Sequence, residues 1–208
     1  MPPIKHQFKE RKRSYMDRSA ETTEKRQRFL IVCEGKKTEP NYFNQFHVPG
    51  LVIAVRGVGM NTLSLVDEAK RLRTEDEYDQ VWCVFDKDDF PIDHFENAIK
   101  RANENNMKVA YSNQAFELWY LLHFEYLQTA IDRKAYFNKL TEYLGFEYEK
   151  NSTGIYKKLL CKRDQAIKYA QRLMKGYNPP HPGRDDPSTC VHELVIALLE
   201  NSQPLSRR

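Results

Sequence analysis

Three acidic residues stand where two apolar runs stop. Glu34 directly follows Phe29-Leu30-Ile31-Val32-Cys33, and Asp86 and Asp88 directly follow Val81-Trp82-Cys83-Val84-Phe85. In an open parallel sheet, loops and helix N-termini converge beyond the carboxyl ends of the strands, so ligands bind there. An acid pair at i and i+2 that continues a strand projects to one side, which lets Asp86 and Asp88 face a single hard cation. Mg²⁺ (or Mn²⁺) takes few protein carboxylates, several waters and phosphate oxygens, and an incomplete cluster of Glu34, Asp86 and Asp88 matches that demand. An Asp-x-Asp triplet alone also arises by chance, as a helix cap or as a pair of solvated acids. Three acids at two strand ends say more, because carboxylates gathered without a cation repel one another. The chemistry implied is metal-assisted phosphoryl transfer.

Other side chains near these acids extend the set. Lys36 and Lys37 lie in the turn after Glu34, where positive charge stabilises a pentavalent phosphoryl transition state; a solvated turn is the plain alternative. Glu117 opens an apolar segment, where an unpaired acid is expensive, and it can complete the metal shell from a third strand end. Asn113 either orients a ligand or caps the following helix. Ser188 and Thr189, in Asp186-Pro187-Ser188-Thr189, have the composition of a helix N-terminus, which attracts phosphate or is simply capped. His123 and the aromatics Phe116, Trp119, Tyr120 and Phe124 read as core. Lys157, Lys158, Lys162, Arg163, Lys168, Arg172 and Lys175 decorate the C-terminal helices, as a phosphate-tracking stripe or a solvated face. Gly57-Val58-Gly59 lacks a following Gly-Lys-Ser/Thr, so ATP binding by this chain is set aside.

The elements that must position these residues follow from periodicity. Phe29 to Cys33 is continuous, β-branched and too short for a helix, so it reads as a strand buried on both faces. Tyr42, Phe43 and Phe46 then recur at helical spacing, with Thr38 as a cap and Pro40 in the first turn. Leu51 to Val55 and a helix through Leu63, Val66, Ala69 and Leu72 repeat the unit. Val81 to Phe85 and a helix from Pro91 to Glu104 repeat it again, and Lys108 to Tyr111 forms a fourth strand. This rhythm implies parallel pairing through right-handed crossovers, an α/β sheet of about four strands flanked by helices. Residues 114–126 are apolar nearly all round and predict a deeply packed helix. Spacing near 131–144, 154–175 and 188–200 predicts a helical C-terminal extension. The expected organisation is a basic N-terminal arm over 1–27, an α/β core over 28–127 and a helical part over 128–208.

Bulk properties set bounds. The 208 residues are 40% hydrophobic, enough for one core, and the net charge of +4 is modest for a nucleic-acid binder. Its distribution is uneven: residues 1–28 carry nine Lys or Arg against four acids. The absence of a span-length apolar run or a signal-like stretch points to a cytoplasmic address and no membrane partner. Cys33, Cys83, Cys161 and Cys190 lack paired spacing, which argues against disulfides and zinc.

A resemblance joins these pieces. The strand followed by Glu34-Gly35 and the strand followed by Asp86-Lys87-Asp88 resemble the two signatures of the TOPRIM domain of topoisomerases, primases and OLD-type nucleases. More closely, Ile31 to Glu39, Phe85 to Asp88, Ser112 to Trp119 with Leu122-His123-Phe124, and Asp186 to Val195 resemble the RloB family across about residues 28–200. The last motif carries Asp where the family pattern has Asn. The resemblance implies a TOPRIM-like bacterial anti-phage defence protein, often encoded beside an ATPase of the AAA or ABC type. Glu34 would then be the TOPRIM general acid or base, with Asp86 and Asp88 as metal ligands. The expected activity is Mg²⁺-dependent cleavage of a phosphodiester in DNA or RNA. The alternative is a non-catalytic TOPRIM-like subunit that docks on an ATPase. Oligomeric state stays open.

Overall fold

The computed structural model describes residues 26–89, 91–152 and 154–201. The basic arm read over 1–27 lies outside them except for its last two positions.

Three strand–helix units open the fold: β1 (Gln27–Cys33) and α1 (Thr38–Phe43), β2 (Leu51–Gly57) and α2 (Thr62–Arg73), β3 (Gln80–Asp86) and α3 (Ile92–Glu104). They are followed by β4 (Lys108–Asn113), α4 (Glu117–Leu121), α5 (Arg133–Leu144), α6 (Ile155–Leu160), α7 (Arg163–Lys175), β5 (Ser188–Thr189) and α8 (Val191–Glu200). The sheet order is β2-β1-β3-β4-β5. β1 is parallel to β2 and β3, β3 is parallel to β4, and β4 and β5 pair antiparallel. The protein is therefore α/β, with a mostly parallel five-stranded sheet flanked by helices, an arrangement compatible with Rossmann-like and TOPRIM-like folds.

The continuous apolar runs have a direct cause, because alternate residues of each central strand feed different cores. Phe29, Ile31, Cys33, Trp82 and Val84 pack on one face with residues of α1, α4, α5, α7 and α8. Leu30, Val32, Val81, Cys83 and Phe85 pack on the other with residues of α2 and α3. Both faces being covered, no alternation with polar residues survives.

Several local expectations are corrected. The segment 114–126 is buried as expected, yet its α-helix is only the five residues of α4. Its flanking turns tighten to i→i−3 bonds, from Leu118 N–H to Ala115 O at 3.0 Å and from Phe124 N–H to Leu121 O at 2.8 Å. The segment 154–175 divides into α6 and α7, with a turn closed by Lys162 N–H to Leu159 O at 2.9 Å. Thr38 is the first residue of α1 rather than its cap, and its hydroxyl donates to the Lys150 carbonyl at 3.2 Å. Ser188 and Thr189 form a short strand instead of a helix N-terminus. Their place is fixed by pairing with Asn113 and Ser112 at the edge of β4. None of the described helices is long and apolar enough to cross a membrane.

Candidate functional site

The carboxyl ends of β1 and β3 are neighbours, so the residues that follow them meet. Glu34 prolongs both ladders of β1: its N–H donates to Val84 O at 2.9 Å and its carbonyl accepts Gly59 N–H at 2.8 Å. Its side chain is equally fixed. Oε2 accepts the Asp86 backbone N–H at 3.2 Å, and Oε1 accepts the Thr62 hydroxyl from the start of α2 at 3.3 Å. The turn after Glu34 passes so close to β2 that a Cβ on Gly57 would lie 2.7 Å from the Gly35 carbonyl and 2.8 Å from Pro40 Cγ. Only glycine admits that approach.

A cleft of about 330 Å³ opens over these strand ends. It is lined by Glu34, Glu39, Asp86, Asp88 and Glu117 together with Lys36, Lys37 and Lys150. Lys36 and Lys37 are exposed, and so is Lys150. Glu117, the first residue of α4, is 1% exposed and accepts the Tyr148 hydroxyl at 2.9 Å. Glu39, in the first turn of α1, is 5% exposed and receives the Gly35 N–H at 3.4 Å.

The acids perturb one another. Burial pushes the Asp86 carboxyl well above its ordinary range, and the charges of Glu39, Glu117 and Glu34 push it further; a Phe116 N–H offsets part of this. Burial likewise raises Glu34, against the Asp86 N–H and Thr62 bonds that favour its anion. Glu39 is raised by burial and by Glu117, with Lys150 opposing. Tyr148 is held far into its protonated form by burial and by Glu117. The cleft therefore gathers five acids, of which Asp88 is paired with Arg133 and Glu39 is offset in part by Lys150. Its donors are all oxygen, the chemistry that hard divalent cations take. Among the described residues, no three of these side chains converge tightly enough as they stand to form a finished cation cage.

The predicted residues divide clearly. Glu34, Asp86, Asp88, Glu117, Lys36 and Lys37 share the cleft. Asp88 does so differently from expectation: β3 ends at Asp86, Asp88 sits in a turn at φ 45°, and its carboxylate pairs with Arg133. The i, i+2 geometry of a continuing strand does not apply to it. Asn113, Ser188 and Thr189 are corrections. Asn113 Nδ2 donates to Asp185 O at 2.8 Å, the Ser188 hydroxyl to the same carbonyl at 2.7 Å, and the Thr189 hydroxyl to Tyr111 O at 3.0 Å. All three are 5% exposed or less, and these polar groups tie the sheet edge together. His123 is the core histidine expected, with Nδ1 2.9 Å from Trp119 O.

Sequence reasoning missed Glu39. Its signal was present: an acid in the first turn of a helix whose next residues, Pro40, Tyr42 and Phe43, point to burial.

Fold and site define an α/β protein with an acidic, lysine-rimmed cleft at the carboxyl ends of parallel strands. The chain belongs to the RloB-like protein family, whose model matches residues 29–198. No curated protein and no solved structure gives a significant match to the chain.

Proposed function

We propose that this protein is a Mg²⁺-dependent (or Mn²⁺-dependent) nuclease that hydrolyses phosphodiester bonds of DNA or RNA on a TOPRIM-type core. The observation that carries the reading is the gathering of Glu34, Glu39, Asp86 and Glu117 from three adjacent strand ends and α1 in one cleft with lysines around it. Acids crowded in this way bind protons tightly for want of a cation, and a hard divalent ion suits them better. Glu34, Asp86, Asp88 and Glu117 are the residues that would hold it. When bound, the ion supplies a Lewis acid for the phosphate oxygens and the attacking water.

The chain's own groups account for the rest. Glu34, held in orientation by the Asp86 N–H and the Thr62 hydroxyl, takes a proton from the attacking water. Lys36 and Lys37 offset the charge that builds on the phosphoryl oxygens. Partnership with an AAA or ABC-type ATPase in anti-phage defence rests on family membership rather than on the cleft.

The experiment is incubation of purified protein with plasmid DNA and bulk tRNA in Mg²⁺ or Mn²⁺, beside Glu34→Gln and Asp86→Asn. Cleavage by the parent and its loss in both variants is expected; equal rates in all three would refute the assignment. The competing reading, a non-catalytic subunit of an ATPase complex, draws on a groove of about 650 Å³ that mixes apolar residues, Ile99, Met174, Pro180 and Ile196, with Lys108 and Glu193. Cleavage by the isolated chain decides against it.

A further inference from the structure

Asp88 is held by a positive charge from elsewhere in the chain. Arg133 Nη2 forms an ion pair with Asp88 Oδ1 and lies 3.5 Å from the Gln114 carbonyl, which also accepts the Asp88 N–H at 3.4 Å. Backbone and side chain of Asp88 are thus fixed together in the turn.

Arg133 occupies an unusual place for a cation. It is the first residue of α5, where free N–H groups and the positive end of the helix dipole favour acids. The first turn of α5 holds no acid, and Asp132 already caps the helix by accepting Ala135 N–H at 2.7 Å. Helix formation gives no reason for a guanidinium here; Asp88 does. The two side chains are 38% and 32% exposed, so the pair is partly solvated and opens at little cost. An ion entering the cleft meets Glu34, Asp86 and Glu117 with Asp88 already engaged.

We propose that Arg133 is a positioning residue that competes with the divalent cation for Asp88 and keeps the cleft in a low-affinity state until the pair opens. A guanidinium cannot lose its charge at physiological pH, so a cation reaching Asp88 must displace Arg133 from Oδ1 or bind beside its charge. The inference rests on the cation-binding reading of the cleft and adds a regulatory residue to it.

The test is Mn²⁺ binding to the full-length protein, followed by the electron paramagnetic resonance signal of free Mn²⁺. The forms compared are the parent, Arg133→Ala, Arg133→Gln, Asp88→Asn, Arg133→Ala with Asp88→Asn, and Glu34→Gln. Freeing Asp88 from a partly solvated ion pair should tighten binding about fivefold in both Arg133 variants. Asp88→Asn should erase that gain in the double variant. A merely structural Arg133 would weaken binding or leave it unchanged when lost. If the parent binds Mn²⁺ in a Glu34-dependent way and neither Arg133 variant binds tighter, the competition is overturned while the cleft reading stands. If no form binds Mn²⁺, both are overturned. Circular dichroism checks that each variant folds, and Arg133→Gln retains side-chain length should Arg133→Ala disturb α5.

Discussion

Asp86→Asn should make the metal-free protein more stable, against the usual direction for a substitution at a partly buried site. Burial raises the proton affinity of Asp86 most, and the charges of Glu39, Glu117 and Glu34 each raise it further. Two unit charges about 5 Å apart repel by roughly 1–3 kcal/mol across effective dielectric constants of about 80 to 20. Amide for carboxylate removes these repulsions at once but weakens the bond that the Asp86 side chain receives from the backbone. A net gain of about 1–2 kcal/mol remains, or about 2–8 °C in melting temperature for a chain of this size. The sign depends on pH. A carboxyl whose folded pKa is raised contributes stability fully below its unfolded pKa, near 4, and loses that contribution as pH rises through the folded value. The parent should therefore lose more stability than Asp86→Asn between pH 5 and pH 8, and the advantage of the variant should appear at the upper end. The assay is thermal unfolding in EDTA across that range, repeated with millimolar Mn²⁺, which should raise the parent more than the variant. An Asp86→Asn protein that melts below the parent at pH 8 in EDTA, by a margin independent of pH, would refute the account of a strained acidic cluster.

Two further outcomes follow from buried polar groups. Tyr148→Phe removes the hydroxyl that Glu117, 1% exposed, accepts at 2.9 Å. The loss of this buried bond should cost about 1–3 kcal/mol in denaturant unfolding, and an unaltered midpoint would show that Glu117 is satisfied some other way. His123 is 0% exposed and its basicity is pushed down to about 4, chiefly by burial. It contributes stability above its unfolded pKa near 6.5, and this is lost as pH falls toward 4, up to about 3 kcal/mol. His123→Phe should flatten that acid limb; a variant whose stability falls as steeply as the parent between pH 6.5 and 4 contradicts the assignment.

The parts of the fold that were legible are those where one physical demand governs a whole segment. β1 and β3 declare themselves because both faces are covered, so Phe29 to Cys33 and Val81 to Phe85 must be apolar throughout. β5 does not, because two residues have no periodicity. It exists through contacts with one distant strand, Thr189 to Tyr111 O at 3.0 Å and Cys190 N–H to Tyr111 O at 3.0 Å. The helix read across 114–126 failed for a related reason: burial makes any segment apolar, whether it is helix or turn, so composition there reports depth and not conformation. Glu34 was found because a strand end is visible in sequence. The pairing of Asp88 with Arg133 was not, since 45 residues separate partners whose meeting depends on where α5 begins.

Glu39 and Glu117 are costly residues for a fold to hold at this place. Each is almost fully buried, at 5% and 1% exposure, and each adds to the repulsion felt by Asp86. Buried charges rarely improve on apolar residues of similar volume, and like charges held together are worse. Apolar residues are at hand nearby, for Tyr42, Phe43 and Tyr120 all pack edge-to-face on Phe116, the chain neighbour of Glu117. A fold shaped by stability alone would extend that aromatic core into the strand ends. It instead places acids where three parallel strands terminate, supports Glu117 with Tyr148, and leaves Lys36, Lys37 and Lys150 at the cleft. On the proposed cation-binding reading, a cation entering the cleft offsets the stability forgone here, so the substitution that raises the melting temperature in EDTA should be the one that lowers affinity for Mn²⁺.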